Sequence, residues 1–495
     1  MKQILRILFV CCWAVLVIPH GVAQNCGDVR YVEPLFEVST TFNVQYQQAR
    51  PYGSLISLPY TMDIYEPVGD TLSCRPLMVF QYGGAFLIGD KLLPPAPDFC
   101  SYWAQRGYVA VSVDYRLGFS AASEESAERA VYRAVQDLQA ALRFLSEFRE
   151  QYRIDTGNII VSGNSAGAFT TLHNTFMDES QAPASYAGVG IGLDSYSLGG
   201  IYESGNSYWG NQEVITHGII VNWGAILDTN FIGDGADDIV PTILFHGTND
   251  NLVPYASGQP FDSPFFPLVY GSELINDRLD NTSIPHKFVP LIGAGHEPEL
   301  VNSAYLDTIL WESQPFMYHH VLKPWIQTVA GNQSPNVNDT ELYSVVANEP
   351  IIQVCVSVNN GTVVSNQQNE FEILWNVAGH DTIQVIAGNK ILAYDTTYVP
   401  VFVSPSTDVL ERDDDFVARI YPNPFSSYTT IHLTSDSEPG DMLLVSDVMG
   451  RVVYRQPFWS NSLTLSADKI GEGIYSVNIK SATGRLKQLG RIVVQ

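Results

Sequence analysis

The pentapeptide Gly163-Asn164-Ser165-Ala166-Gly167 constrains this chain more than any other feature, because of what flanks it. Ile159 to Ser162 is a short apolar strand run, and Ala166 to Asp178 is patterned as a helix. A serine on so sharp a strand-to-helix turn takes strained φ/ψ angles. Glycines two residues before and after it remove Cβ atoms that would clash there. The turn also sets Ser165 near a helix N-terminus, where developing negative charge is favoured.

The surrounding sequence alternates in the same way. Leu77 to Gln81 and Val109 to Val113 are short apolar runs, as parallel strands require. Glu124 to Tyr152 has no Pro or Gly, and Ala130, Ala134, Leu138, Leu142 and Leu145 place an apolar stripe along it. Residues 24–330 therefore read as an α/β domain: a mostly parallel or mixed sheet with helices on both faces.

A serine hydroxyl needs a base to remove its proton. In folds with this turn the partners follow in the order acid, then histidine. Thr242 to Phe245 is an apolar strand that runs into His246-Gly247-Thr248-Asn249-Asp250, which puts Asp250 in a loop at a strand's carboxyl end. Phe288 to Leu291 is the next strand, and Gly293-Ala294-Gly295-His296 follows it. Asp250 is the favoured acid over Asp228, Asp234, Asp237 and Asp238, and His296 is the favoured base. Among the other histidines, His246 reads as a structural hydrogen-bonding group and His173 as part of the turn helix. His286 stands at the wrong end of its strand.

Attack on a carbonyl creates an oxyanion that preorganised N–H groups stabilise by about 3–4 kcal/mol each. Gln81-Tyr82-Gly83-Gly84-Ala85-Phe86 follows the strand Leu77 to Gln81, so Gly83, Gly84 and the N–H of Ala166 are the candidate oxyanion hole. Between turn and acid, Met177 to Val240 is rich in Gly, Tyr, Ser and Asn. Tyr196, Tyr202, Tyr208, Trp209 and Trp223 are candidates to line an acyl pocket, with plain packing equally open.

Tyr82-Gly83-Gly84-Ala85-Phe86, Asp114-Tyr115-Arg116-Leu117, Gly163 to Gly167, His246 to Asp250 and Gly295-His296 together resemble the carboxylesterase and hormone-sensitive-lipase branch of the α/β hydrolases. The resemblance covers about residues 60–325 and implies a Ser165-His296-Asp250 triad that cleaves carboxylic esters without a metal or organic cofactor. It departs at Tyr82, where that branch usually carries His, which leaves the geometry of the oxyanion loop open.

Beyond this block the pattern turns to β. Gly331 to Thr340 reads as a linker, and Ile351 to Val358, Phe371 to Val377, Thr382 to Ala387 and Tyr398 to Val403 read as strands of a small sandwich within 331–410. An acidic break, Glu411 to Asp415, leads into a second β module over 411–495. Its Tyr421-Pro422-Asn423-Pro424-Phe425, Asp447-Val448-Met449-Gly450-Arg451, Gly473-Ile474-Tyr475 and Leu489 to Val494 resemble the C-terminal sorting domain of the Bacteroidetes type IX secretion system. That resemblance implies a type IX secretion partner and release or attachment at the cell surface.

Export fits the first 23 residues, which read as a signal peptide: Lys2 and Arg6, then apolar Ile7 to Ile18, then Gly21 and Ala23 at a cleavage site. The apolar run is shorter than the roughly 20 residues of a membrane span, so no transmembrane segment is expected in the mature chain. Loss of those two cations takes the net charge from −26 to −28, which disfavours nucleic acid and anionic lipid as partners. Cys26, Cys74, Cys100 and Cys355 then face an oxidising setting in which three full pairings are open. The expected substrate is an ester, with acylated polysaccharide, lipid and polyester all open. A peptidase or amidase of the same fold, and an inert surface-binding protein, are the competing readings.

Overall fold

The computed structural model describes residues 26–495 apart from 28, 188–193, 204–207, 234–238, 406–417, 434–439, 458–459, 482–483 and 485. The expected signal peptide, the acidic break and Asp234, Asp237 and Asp238 lie outside the described residues, as does the side chain of Trp209. The chain forms two compact units, one up to Ser404 and one from Pro405 to Gln495.

The first unit is built on eight strands: β1 (Val38–Ala49), β2 (Leu58–Pro67), β3 (Arg75–Gln81), β4 (Val109–Val113), β5 (Ile154–Asn164), β6 (Gly218–Asn222), β7 (Thr242–Gly247) and β8 (His286–Leu291). They lie in the order β1-β2-β4-β3-β5-β6-β7-β8. All neighbours from β4 to β8 pair in parallel, while β1 and β2 add an antiparallel edge. The fold is an α/β hydrolase, with the sheet mixed only at that edge.

Strand periodicity builds two cores from one sheet. Met78 and Phe80 of β3 face one side, where α1 (Ala96–Ala104) and α5 (Ala304–Met317) pack. Leu77 and Val79 face the other, under α2 (Glu124–Glu147), α3 (Ala166–Phe176) and α4 (Ser272–Leu279). Helix α2 starts where Ser123 caps it by accepting from the N–H of Ser126, and it ends at Glu147, before the expected Tyr152. Helix α3 likewise stops at Phe176.

The sandwich departs from expectation in its boundary. It begins at Ile326, because β9 (Ile326–Ala330) pairs with β10 (Thr340–Ala347) and makes 331–339 a hairpin loop rather than a linker. Tyr343 Oη donates to the Asn332 carbonyl at 2.6 Å and the Val337 N–H donates to Ser404, so this polar stretch is pinned on both sides. Five further strands complete two sheets: β11 (Gln353–Ser357), β12 (Gly361–Gln367), β13 (Glu370–Trp375), β14 (Gly379–Gly388) and β15 (Tyr394–Val403). The loop between β14 and β15 enters the hydrolase, where Ile391 and Ala393 are fully buried in the same core as Tyr31 and Trp103. Tyr31 Oη donates to the Ile391 carbonyl at 2.6 Å, Lys390 pairs with Asp155 at 2.7 Å, and a disulfide joins Cys26 to Cys355. Cys74 and Cys100 are free thiols, so the full pairing of four cysteines is not what forms.

The second unit is a smaller sandwich in which the sorting motifs have structural jobs. Asn423 accepts from the Val493 N–H at 2.8 Å and donates to the Arg491 carbonyl at 2.7 Å, which fastens its loop to the last strand. Asp447 caps its own turn by accepting from the N–H groups of Met449 and Arg451, both at 3.0 Å.

Candidate active site

Strand β5 delivers Ser165 to the carboxyl edge of the sheet with φ 50° and ψ −116°, and α3 starts at the next residue. The two glycines are needed for steric reasons. A Cβ on Gly163 would collide with the backbone of Gly167, and one on Gly167 with the carbonyl of Gln81. The Ser165 N–H donates to the Asn222 carbonyl at 3.0 Å, so the end of β6 fixes the turn from the other side.

Loops after β7 and β8 bring the expected partners to it. His296 Nε2 lies 2.8 Å from Ser165 Oγ, and His296 Nδ1 lies 2.7 Å from Asp250 Oδ2. The other oxygen of Asp250 accepts the N–H groups of Leu252 at 2.9 Å and Val253 at 3.0 Å. His246 supports the acid as well, with Nε2 at 3.3 Å from Asp250 Oδ2 and Nδ1 at 2.8 Å from Ser272 Oγ. Burial alone would raise the Asp250 carboxyl. The hydrogen bonds from His246, His296 and the Val253 N–H outweigh it and hold the group well below the usual carboxylate range. An ionised acid then keeps the proton of His296 on Nδ1 and leaves Nε2 free to accept from Ser165.

The glycine loop closes the other side of the serine. Gly83 is so close that a Cβ there would stand 3.2 Å from Ser165 Cβ. Gly84 has φ 112°, and Ala85 and Phe86 follow at 55° and 58°, a run of positive φ that turns the loop back on itself. Among the described residues, none of the N–H groups of Gly83, Gly84 and Ala166 donates to a protein acceptor. Tyr82 is itself held in place beside this loop. Its ring stacks on Tyr115 at 4.5 Å, and Tyr115 Oη donates to the Tyr82 carbonyl at 2.9 Å, so an aromatic pair does the bracing.

Beside Ser165 opens a cavity of about 50 Å³ with an apolar lining that includes Phe86, Phe119, Phe169, Phe261, Phe266 and Leu227. Four of the five aromatic residues expected to line it lie elsewhere, and the side chain of the fifth, Trp209, is outside the described residues. Tyr196 stacks against Arg50, Tyr208 packs on Phe144 and Phe148, Tyr202 joins a separate cluster, and Trp223 is fully buried. His173, rejected as base, is fully buried between the Phe169 carbonyl and the Leu227 N–H, and burial pushes its pKa down to about 4.

Sequence reasoning missed two acids in the His296 loop. Glu297, with φ 49°, places Oε1 2.5 Å from where a Cβ of Gly83 would stand. Glu299 is buried and accepts from Asn164 at 2.9 Å. A glutamate one or three residues beyond the base was visible, but nothing local marks its depth. Among the described residues, no group of three or more His, Cys, Asp or Glu could hold a metal ion, and no helix is long and apolar enough to cross a membrane.

Comparison with known proteins follows the same division of the chain. Residues 62–188, which hold the glycine loop and Ser165, match the BD-FAE family, and residues 419–495 match the secretion system C-terminal sorting domain. Lipase 1 of Geotrichum candidum is 27% identical over 118 residues, which are 23% of this chain and 21% of that protein. Lipase 2 of Moraxella sp. (strain TA144) is 31% identical over 118 residues, 22% of this chain and 25% of that protein. The chain thus spans about a quarter of the length of these curated relatives. Among solved structures, Thermogutta terrifontis esterase 2 phosphorylated by paraoxon is similar at 20% identity and a TM-score of 0.40, over 58% of this chain and 94% of that one.

Proposed function

Because the chain joins an α/β-hydrolase domain of the esterase and lipase type to a type IX secretion sorting domain, we propose that it is an exported serine esterase working through an acyl-enzyme. The observation that carries this reading is the hydrogen-bonded run from Asp250 through His296 to Ser165, opening on an apolar cavity.

Ser165 Oγ attacks the ester carbonyl carbon while His296 Nε2 takes its proton. The carbonyl oxygen becomes an oxyanion that the N–H groups of Gly83, Gly84 and Ala166 stabilise, since all three lack a protein acceptor among the described residues. Collapse breaks the ester C–O bond, and His296 returns the proton to the departing alcohol. Water then attacks the acyl-enzyme by the same route, with His296 again as base, and frees Ser165. The phenylalanine-lined cavity beside the nucleophile suits an apolar acyl chain.

Ser165→Ala tests this. Turnover of a p-nitrophenyl ester and labelling by a fluorophosphonate are both expected to vanish while the melting temperature is kept. Turnover at the wild-type rate in that variant would sink the proposal. Faster cleavage of a peptide than of the matching ester by the wild type would shift it to a peptidase.

A further inference from the structure

Asn164, between the first glycine and the nucleophile, joins three loops. Its Nδ2 donates to Glu299 Oε1 at 2.9 Å, and its Oδ1 accepts from Asn222 Nδ2 at 2.8 Å. Asn222 is also the residue whose carbonyl accepts the Ser165 N–H. Glu299 follows His296 by three residues in one loop. A buried run of three side chains therefore ties the loop of the base to the turn of the nucleophile, and none of the three lines the apolar cavity.

Glu299 is an unusual member of such a run. It is 7% exposed, and its Oε2 has no hydrogen-bond partner among the described residues. No cation faces it. The turn offers it the neutral amide of Asn164, β6 stands behind with the neutral Asn222, and its own loop sets Glu297 beside it. An ionised carboxylate in that place would have lost its water with only neutral donors in return. Burial pushes the Glu299 pKa up to about 8, its own backbone N–H pulling the other way and Glu297 adding to the rise. At neutral pH the group is a neutral acid.

We infer that Glu299 is a positioning residue of this site: buried and accepting from Asn164, it holds the His296 loop against the nucleophile turn. The inference rests on the reading of Ser165 as nucleophile. When Glu299 gives its proton to solvent, the carboxylate at that depth is relieved only by water, which draws the loop off the turn. The 2.8 Å contact between His296 and Ser165 depends on that loop, and a shift of about 1 Å in such a contact costs on the order of 10²-fold in rate.

The test is kcat/KM of the full chain on a soluble p-nitrophenyl ester from about pH 6 to about pH 10. The wild type is expected to lose activity as pH rises through about 8. Glu299→Ala is expected to fall on the order of 10²-fold at neutral pH. Glu299→Gln, which keeps an oxygen for Asn164 and has no proton to lose, is expected to restore most of that activity and to lack the alkaline decline. The same decline in Glu299→Gln, or wild-type rates in Glu299→Ala, would overturn the role. If Glu299→Ala does not fold, the Gln profile alone decides. Ser165→Ala is assayed beside them. Turnover at the wild-type rate there overturns the serine-esterase reading itself, whereas a Ser165→Ala without such turnover beside an alkaline decline kept in Glu299→Gln overturns only the part given to Glu299.

Discussion

Asp250→Asn is the sharpest perturbation of the site, because the geometry fixes which way the new amide must face. Asp250 Oδ1 accepts two backbone N–H groups, from Leu252 and Val253, at 2.9 and 3.0 Å. An amide nitrogen placed there would confront two donors and leave them unpaired, at about 1–3 kcal/mol for each buried group. The NH2 group therefore takes the place of Oδ2, facing His296 Nδ1 and His246 Nε2 at 2.7 and 3.3 Å. To accept from it, His296 must move its proton from Nδ1 to Nε2. That nitrogen then points an N–H at Ser165 Oγ and can no longer act as base. A wrong tautomer of this kind costs about 10⁴-fold in kcat, which is about 5.4 kcal/mol of barrier. The assay is kcat at saturating ester, with the rate of fluorophosphonate labelling measured beside it and the melting curve as a check on folding. KM should change little, since Asp250 is not among the residues lining the cavity. A folded Asp250→Asn with kcat within about tenfold of wild type would refute the account of the acid.

Three further outcomes follow from the structure. Gly163→Ala drives a Cβ into the backbone of Gly167 and to 2.7 Å from the Ala168 nitrogen, so a loss of at least about 1–3 kcal/mol is expected in denaturant unfolding, with activity abolished; a neutral effect would mean the turn is not built as described. Ala127 lines the cavity, and Ala127→Phe should remove any preference for long over short acyl chains, which at about 0.8 kcal/mol per methylene amounts to about 10²-fold for ~4 carbons; an unchanged ratio of kcat/KM values would place the acyl chain elsewhere. Glu299 binds its proton more tightly when folded, at about 8 against an ordinary 4.5. Its contribution is thus fully present below about pH 4.5 and is lost as pH rises through about 8, by up to about 1.4 kcal/mol per unit. The stability of Glu299→Gln relative to wild type should therefore climb between about pH 5 and about pH 8, and a flat difference across that range counts against a buried neutral acid.

The parts of this site that were legible from sequence are those whose signals are local. An apolar run, a glycine pair and a helical pattern within a few residues specify the turn at Ser165, and a strand ending just before Asp250 or His296 specifies where those loops emerge. Gly83 and Gly84 were legible for the same reason. What depends on the path of distant segments was not. The cavity takes its aromatic residues from Phe86, Phe119, Phe169, Phe261 and Phe266, four separate stretches of chain, whereas the tyrosines of 177–240 pack away from it. Strands β1 and β12 are rich in Thr, Gln, Asn and Ser and expose much of their surface, so they carry little apolar alternation to read. The stretch from Gly331 has the composition of a linker, yet hydrogen bonds from Tyr343 and to Ser404 make it a fixed hairpin loop. The partner of Cys26 lies 329 residues away, a pairing that no spacing rule selects.

The burial of Ile391 and Ala393 beside Tyr31 and Trp103 sets an order of events for the newly made enzyme. Ser165, Asp250 and His296 all precede the loop that completes this core, the last by 95 residues from His296 to Ile391. The oxidative link from Cys26 to Cys355 closes across nearly the whole unit and so also waits for the sandwich. The β module downstream thus completes the interior of the hydrolase, as the last stave of a barrel rather than as an appendage to a finished one.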